Sequence, residues 1–421
     1  MANTLKFGNG DWATKEGSTL AYNNENGNFK PLPFDFTRAG SATKVNKQGL
    51  IEVVSNNEPR IDFTDNSKGA LLLEPQRTNS ITHSNDFSQS IYGKINLTIT
   101  ANEGISPDGT QNANLLVPNA AIGVRYLTNS TGSNLKTNTV FLKKKELRYV
   151  TFGNAQSNVL VDLENGTISA SSVSTNNFTI ENYGNGWYRV SCFNTLDVNL
   201  QIQIFLGIDG SGSNIATNGT DGVYIYGFEI QNGSYPTSYI PTNGSAVTRS
   251  AETCNGAGDA NTFNDSEGVL FADIAANSKG GGYKLISITD SISGNSFISI
   301  GMMNNTTELY KQIRFGGLNL FPNFTDKADQ TSFNKIAIKY KSGDSSFYVN
   351  GFEIDSSSVT YTPSANMSEI KFSYFQDGDD FYGNTKQIQY FDTALNDTDL
   401  EELTSWKSFS EMARDLLYTI Q

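Results

Sequence analysis

Short runs of alternating apolar and polar residues fill the middle of the chain, and turn residues separate them. The turns are marked by Gly and Asn, as in Gly184-Asn185-Gly186. No run of helical period stands between them, so the pattern predicts an antiparallel β-sandwich over residues 86–250. Its candidate strands are residues 139–142, 149–153, 159–162, 178–182, 188–193, 201–205 and 223–230.

A second set of such runs lies between residues 265 and 395. Asn350-Gly351 stands between two of them and is a strong signal for a two-residue β-hairpin turn. The pattern therefore predicts a second sandwich, within residues 251–395. Its candidate strands are residues 269–274, 284–288, 297–301, 312–315, 335–341, 346–349, 369–375 and 385–391.

Residues 1–85 are less regular. Gly-Asn turns are followed by KPLPFDF and by short alternating runs, and the apolar run 70–73 stops just before Pro75. An apolar run that ends at a proline predicts a buried strand closing this segment. We therefore expect an irregular, β-rich amino-terminal segment ahead of the two sandwiches, and an all-β fold class.

The hydrophobic period changes after residue 395. Helical spacing predicts an amphipathic helix within residues 396–421, with Asn396 or Thr398 as its N-cap. A single apolar stripe does not say whether this helix packs on its own sandwich or on a partner subunit, and both remain open. The stripe consists of Leu400, Leu403, Trp406, Phe409, Ala413, Leu416 and Ile420.

Uncharged polar and aromatic residues dominate the composition. The 421 residues include 38 Gly, 26 Phe and 19 Tyr, and only 17% are charged. That profile is typical of extracellular or virion β-structure. The formal net charge of -13 argues against nucleic-acid binding, which rests on Lys and Arg displacing counterions.

The start of the chain bears on where the protein is made. The first eight residues, MANTLKFG, lack the basic start and the apolar run of a signal peptide. No stretch approaches the roughly 20 apolar residues that cross a bilayer. We therefore expect synthesis in the host cytoplasm and no membrane insertion.

Side chains that commonly carry catalysis are scarce. His83 is the only histidine, and Cys192 and Cys254 have no metal-type spacing. A histidine-dependent triad would have to use His83, which stands in a polar linker without a nucleophile motif. We therefore expect that the protein is not an enzyme, although a glycosidase that needs only two carboxylates remains open.

The densest acidic loop is Asp377-Gly378-Asp379-Asp380, between two candidate strands. Its oxygens suit Ca²⁺, and the same residues would also form an ordinary polar turn. Sugar recognition uses aromatic faces beside amide and carboxylate groups in such loops. The candidate ligand-binding residues are Asp377, Asp379, Asp380, Tyr382, Asn304 and Asn305, with Asp377, Asp379 and Asp380 as the candidate Ca²⁺ ligands.

A connector with an unusual composition, GSYPTSYIPTNGSAVTRSAE, leads from the first sandwich to the second. Each proline fixes φ, removes a backbone donor and pushes the preceding residue toward extended geometry. The connector therefore cannot be a helix or a central strand. We predict an extended strap in which Tyr235 and Tyr239 dock on a neighbouring surface.

Three regions of the sequence resemble known proteins. Residues 33–79 contain FTRAGSAT, GLIEVV, EPRIDF and LLLEPQRTN, and resemble a pattern recurrent in bacteriophage virion proteins, especially tail and head fibres. NGWYRVS and the connector resemble the carbohydrate-binding-module-like jelly roll of such fibres, which makes Tyr235, Tyr239 and Arg249 scaffold residues. FYVNGFEI and FYGNTKQIQYFDTALNDTDLEEL resemble concanavalin A-like or laminin-G-like lectin domains.

The resemblance implies a structural virion fibre or appendage, on head or tail, that adheres to bacterial surface or environmental glycans. By analogy with such fibres it implies a homo-oligomer, a trimer, whose residues 1–85 contact other capsid or tail proteins. Weak glycan contacts would be strengthened by multivalency. Two alternatives remain open, because fold analogy does not fix function: a purely structural decoration protein without glycan binding, and a polysaccharide depolymerase.

Overall fold

The computed structural model describes residues 4–64, 66–119, 126–130, 136–154, 157–170, 178–194, 201–290, 296–304, 307–321, 324–363 and 366–420. Antiparallel strands make up nearly all of the regular structure in these ranges, and the two helices found there are short. The prediction of an all-β protein with antiparallel sandwiches is confirmed.

Strands are numbered along the chain. The amino-terminal third contains β1 (Leu5–Gly8), β2 (Thr14–Lys15), β3 (Ser18–Asn23), β4 (Lys30–Thr37), β5 (Ala42–Val45), β6 (Ile51–Val54), β7 (Ile61–Asp62), β8 (Ala70–Leu73), β9 (Arg77–Asn79), β10 (Gly93–Ile95), β11 (Leu97–Gly104), β12 (Ala113–Pro118) and β13 (Tyr126–Ser130). The middle contains β14 (Lys136–Lys144), β15 (Tyr149–Gly153), β16 (Asn158–Asp162), β17 (Thr167–Ala170), β18 (Phe178–Asn182), β19 (Trp187–Asn194), β20 (Gln201–Ile208), β21 (Val223–Asn232), β22 (Val247–Arg249) and β23 (Thr253–Asn255). The last part contains β24 (Glu267–Ala276), β25 (Lys284–Thr289), β26 (Phe297–Met302), β27 (Glu308–Phe315), β28 (Leu318–Asn319), β29 (Phe324–Lys327), β30 (Asn334–Lys341), β31 (Ser345–Val349), β32 (Phe352–Ser357), β33 (Glu369–Lys371) and β34 (Gly383–Phe391).

The chain forms two compact units. Unit 1 comprises Met1–Ala39, Ser55–Pro75 and Ala251–Gln421, and unit 2 comprises Gly40–Val54 and Gln76–Ser250. The first 85 residues contribute strands to both units. The boundaries at residues 85, 250 and 395 stay predictions from the sequence.

Unit 1 is a sandwich of two sheets. Its larger sheet has twelve strands, in the order β23-β4-β3-β1-β34-β24-β30-β31-β32, with β2, β7 and β8 attached at its side. Its smaller sheet has six strands and follows the order β28-β27-β26-β25-β33, with β29 paired to β27. Alternate residues of both sheets point inward and form one apolar core. Core residues include Phe7, Phe34, Leu71, Ile274, Ile298, Ile313, Ile338 and Ile388.

Unit 2 is a second sandwich with a separate core. Its two six-stranded sheets have the orders β10-β13-β20-β15-β16-β17 and β11-β12-β21-β14-β19-β18. Two-stranded ladders, β5 with β6 and β9 with β22, complete the unit. The core between the sheets includes Phe87, Leu116, Val140, Val150, Phe152, Val190, Ile204 and Ile225.

The predicted strap covers the outer face of the β14–β21 sheet of unit 2. Tyr239 is buried there, and its ring centre lies 5.8 Å from that of Phe141 and 5.5 Å from that of Tyr226. The backbone amide of Ile240 donates a hydrogen bond of 2.8 Å to Oε1 of Glu229. The strap is thus anchored by both apolar and polar contacts.

Two arginines also contact the first part of the strap. The Arg77 guanidinium stands 5.0 Å from the ring centre of Tyr235. Arg249 donates to the Ser238 hydroxyl over 2.7 Å. The scaffold role that the resemblance gives to Tyr235, Tyr239 and Arg249 agrees with these contacts.

Four motif residues of unit 1 form a buried ion cluster. Arg38 NH1 lies 2.8 Å from Glu252 Oε1, and Arg60 Nε lies 2.8 Å from the same oxygen. Arg60 NH2 also contacts Glu252 Oε2 and lies 2.9 Å from Glu74 Oε2. Burial alone would lower the pKa of Arg60, but the charges of Glu252 and Glu74 raise it. The FTR, EPR, LLLEP and SAE motifs therefore meet in one structural cluster.

The carboxyl-terminal region contains two helices instead of the single predicted one. Helix α1 spans Asp397–Thr404 and α2 spans Phe409–Asp415. Asn396 caps α1 as predicted, by accepting from the Asp399 amide at 3.0 Å. Ser408 caps α2 by accepting from Glu411. Helical period alone could not reveal this break, because the second cap lies inside the periodic stretch.

The apolar stripe is divided by the break between the helices. Leu400 packs within unit 1 against residues of β24, β30, β31 and β34. Phe409, Leu417, Tyr418 and Ile420 are exposed. Across the described ranges, no helix is long and apolar enough to cross a membrane.

Candidate functional site

The acidic loop predicted from the sequence forms a tight turn at the edge of the smaller sheet of unit 1. Asp377, Gly378 and Asp379 all have left-handed φ values, of 61°, 90° and 49°. The Asp377 carboxylate accepts from Lys371 Nζ at 2.5 Å, and the Tyr382 hydroxyl donates to Asp380 Oδ2 at 3.0 Å.

Two acidic side chains of this loop, those of Asp377 and Asp380, are thus hydrogen-bonded by neighbouring residues. Burial is the main cause of the raised pKa of Asp380. Within the described ranges, no group of three or more His, Cys, Asp or Glu side chains is arranged to hold a metal ion. Binding of Ca²⁺ by Asp377, Asp379 and Asp380 stays a prediction. Asn304 is exposed after β26, and Asn305 lies outside the described residues.

A groove on the outer face of the larger sheet of unit 1 has the features of a ligand site. Asp273 of β24 is paired in register with Gln387 of β34 and with Lys335 of β30. Residues directly opposite each other in an antiparallel ladder share a face, so these three side chains form one floor. The segment from α1 to α2 forms one wall.

Two adjoining cavities make up this groove, with volumes of about 630 and 280 Å³. We call their combined lining the sheet-face groove. The five residues that line both cavities are Asn9, Lys68, Lys335, Gln387 and Glu411. A concave site of this size suits a small molecule or a segment of a chain.

Trp406, in the link between the helices, provides the aromatic surface of the groove. Its indole Nε1 donates to Asp415 Oδ2 at 3.0 Å, which fixes the orientation of the half-buried ring. The ammonium of Lys335 stands 5.9 Å from the ring centre and 2.9 Å from Asp273 Oδ2. The aromatic face is thus held beside a paired charge.

A second buried ion pair supports the same wall. Lys386 Nζ lies 2.6 Å from Asp415 Oδ1, and the Asp415 side chain is almost fully buried. Burial would raise the pKa of Asp415, but the hydrogen bond and charge of Lys386, with contacts from Trp406 and Arg414, lower it overall. The Asp415 carboxylate therefore stays ionised and holds Trp406 in place.

Amide side chains form the centre of the floor. Gln389 Nε2 donates to Gln387 Oε1 over 3.1 Å, and Lys68 Nζ donates to Asn9 Oδ1 over 2.9 Å. An amide offers both donors and acceptors, and an ammonium offers three donors. The floor can therefore hydrogen-bond a ligand that carries several hydroxyl groups.

The charge balance of the groove is opposite to that of the chain. The chain has 30 Lys and Arg against 43 Asp and Glu. The groove is lined by five cations and three acids, and the acid Asp415 lies behind its wall. The cations are Lys68, Lys335, Lys386, Lys407 and Arg414, and the acids are Asp273, Glu402 and Glu411.

None of the residues in the groove was a candidate from the sequence. In the sequence, Trp406 belongs to the apolar stripe of the predicted helix. Gln387 and Gln389 belong to a candidate strand of the second sandwich. One local signal was present: in TKQIQYF the two glutamines alternate with Ile388 and Tyr390. Polar residues at every second position of a strand indicate a face that meets water or a ligand.

Comparison with known proteins adds no family. No protein-family model and no curated protein matches the sequence. Among solved structures, a CBM40 module of the IT-sialidase of Ruminococcus gnavus is 16% identical, with 36% of this chain and 93% of that chain covered and a TM-score of 0.30. Domains LG4-5 of the mouse laminin α1 chain are 9% identical, with 76% and 93% covered and a TM-score of 0.24.

A sialidase of Trypanosoma rangeli is also similar in structure. It is 11% identical, with 97% of this chain and 85% of that chain covered and a TM-score of 0.30. At these TM-scores the likenesses carry no argument about function.

Proposed function

We propose that this protein binds carbohydrate through the sheet-face groove and serves as an adhesive appendage of a bacteriophage virion. The observation that carries the binding site is the Trp406 ring, held beside a hydrogen-bonding floor in the groove's cavity of about 630 Å³. Sugar rings have an apolar face that stacks on an aromatic ring and hydroxyls that bond amides.

The position of the groove favours a ligand over a purely structural surface. Gln387 and Gln389 come from a central strand of the larger sheet, where an apolar residue would be expected under a packed helix. The corresponding aromatic surface of unit 2, around Phe141 and Tyr226, is covered by the strap. Unit 1, in contrast, leaves the corresponding sheet face open at the groove.

The virion part of the proposal rests on the resemblance of residues 33–79 to phage fibre proteins. In this proposal the chain acts as a homo-oligomer, a trimer as in other fibres, and contacts further capsid or tail proteins through its amino-terminal residues. Several copies on one particle would convert weak glycan contacts into firm adhesion.

Binding is tested with the full-length chain on an array of neutral, amino-sugar and acidic bacterial polysaccharides. Trp406→Ala should weaken binding about tenfold or more, since a lost stacking contact of about 1.4 kcal/mol corresponds to that factor. Phe352→Ala removes an exposed ring elsewhere in unit 1 and should leave binding unchanged. Circular dichroism verifies that both variants fold.

Three results would contradict the binding proposal: no retained polysaccharide, equal loss in both variants, or full binding by Trp406→Ala. Release of reducing ends from a bound polysaccharide would reassign the groove as an active site. The virion location is tested separately, by gold-labelled antibody on intact particles in the electron microscope. Unlabelled particles beside labelled lysates would reject the virion location alone.

A further inference from the structure

The face that forms the groove floor continues beyond the groove. Gln389 of β34 is paired with Lys6 of β1, and Lys6 is in turn paired with Tyr22 of β3. Opposite residues of an antiparallel ladder point to the same side of the sheet. Lys6 and Tyr22 therefore extend the floor away from Trp406.

An aromatic pair stands at the far end of this face. Phe29, in the loop between β3 and β4, is 74% exposed, and its ring centre lies 5.0 Å from that of Tyr22. We call these two residues the Tyr22–Phe29 platform. Two neighbouring rings, of which Phe29 is exposed and Tyr22 half-buried, offer the same kind of stacking surface as Trp406.

Polar side chains connect the platform with the groove. The Tyr22 hydroxyl donates to Asp11 Oδ2 at 3.2 Å, and Lys6 Nζ lies 3.7 Å from the same oxygen. Lys6 also stands 6.0 Å from the ring centre of Tyr22. The surface therefore runs from an aromatic ring through hydrogen-bonding groups to a second aromatic surface.

The order of the strands sets the length of this surface. From β30, which carries Lys335, to β3, which carries Tyr22, there are four steps, through β24, β34 and β1. At about 4.8 Å a step, the surface is about 19 Å long. That length exceeds a disaccharide and suits an extended oligosaccharide.

We infer that the Tyr22–Phe29 platform is a second subsite of the sheet-face groove, and that the ligand is an extended polysaccharide lying across strands β30 to β3. This inference rests on the proposed function and adds the form of the ligand to it. Trp406 binds one part of the polysaccharide, and the platform binds a part several sugars away.

The test uses the array polysaccharide that the full-length wild type retains, cut by partial acid hydrolysis and separated by size. Calorimetric titration with each size should show affinity rising with length until fragments reach both aromatic surfaces. Phe29→Ala should weaken binding of the long fragments about tenfold and leave the shortest binding fragment unaffected. Trp406→Ala should weaken binding at every length.

The variants separate the possible failures. A Phe29→Ala protein that binds long fragments like the wild type would overturn the second subsite and leave the groove intact. Sedimentation serves as a control, because a Phe29→Ala change that alters the oligomeric state would show that a second copy of the chain covers the platform. Phe352→Ala should change neither readout. A wild type that binds no polysaccharide would reject the proposed function itself.

Discussion

Glu252 neutralises two arginines that are almost completely buried, Arg38 and Arg60. A buried charge that loses its partner has no water to replace it, so the penalty is much larger than at the surface. The cluster therefore explains at the level of single atoms why arginines and glutamates stand in the FTR, EPR, LLLEP and SAE motifs.

Replacing Glu252 by Gln should destabilise unit 1 by about 3–5 kcal/mol, because it leaves the buried arginines without their shared counter-charge. Urea unfolding monitored by circular dichroism measures the change. Lys279→Ala breaks the half-exposed pair with Asp329 and should cost less than about 1 kcal/mol. Equal effects of the two variants would refute a special role for the cluster.

Acid should loosen the wall that carries Trp406. The folded-state pKa of Asp415 is lowered, so its contribution to stability is present above the ordinary Asp pKa of about 3.9 and is lost as the pH falls through the folded value. The wild type should therefore lose more thermal stability between pH 6 and pH 2.5 than Asp415→Asn. Parallel pH profiles would contradict this assignment.

The strap is the clearest element whose role depends on tertiary contacts. Besides its ring contacts, the Tyr239 hydroxyl lies 2.7 Å from the Ser84 hydroxyl. Thr43 Oγ1, in the β5–β6 ladder, donates to the Tyr239 carbonyl at 2.6 Å. The strap is therefore held on the outer face of unit 2 by buried contacts and is not a loose linker.

Tyr239→Ala should destabilise unit 2 by about 3–5 kcal/mol, as expected for removal of a buried aromatic ring. Tyr239→Phe keeps the ring and loses one hydrogen bond, so it should cost about 1 kcal/mol. Chemical denaturation of both variants gives the comparison. A phenylalanine variant as unstable as the alanine variant would show that the hydroxyl, not the ring, holds the strap.

The sequence predicts the parts of the fold that depend on local structure. Each of the 15 candidate strands between residues 139 and 391 overlaps a strand of the structure, and Asn350-Gly351 forms its turn with φ values of 53° and 90°. The sequence does not predict the contact of Glu252 with Arg38, which is 214 positions away, because no periodic signal links the two residues. It also missed Trp406 as a groove residue, since helical spacing and a capped break look alike in the sequence.

At the scale of the whole molecule, each unit has its own apolar core. Separate cores predict two unfolding transitions in calorimetry instead of one. Glu252→Gln should lower the midpoint of one transition, and Tyr239→Ala that of the other. A single transition shifted by both variants would mean that the units unfold together.

The pairing of β1 with β34 also has a consequence for biosynthesis. Leu5 pairs with Tyr390, so the first strand leaves the ribosome on the order of tens of seconds before its neighbour is translated. All of unit 2 emerges in that interval, and during it the edge of β1 that pairs with β34 has no partner strand. A fragment that starts at residue 251 would lack these strands together with Asn9 and Lys68 of the groove. Dissecting this protein at its apparent module boundaries would therefore remove part of the sheet-face groove.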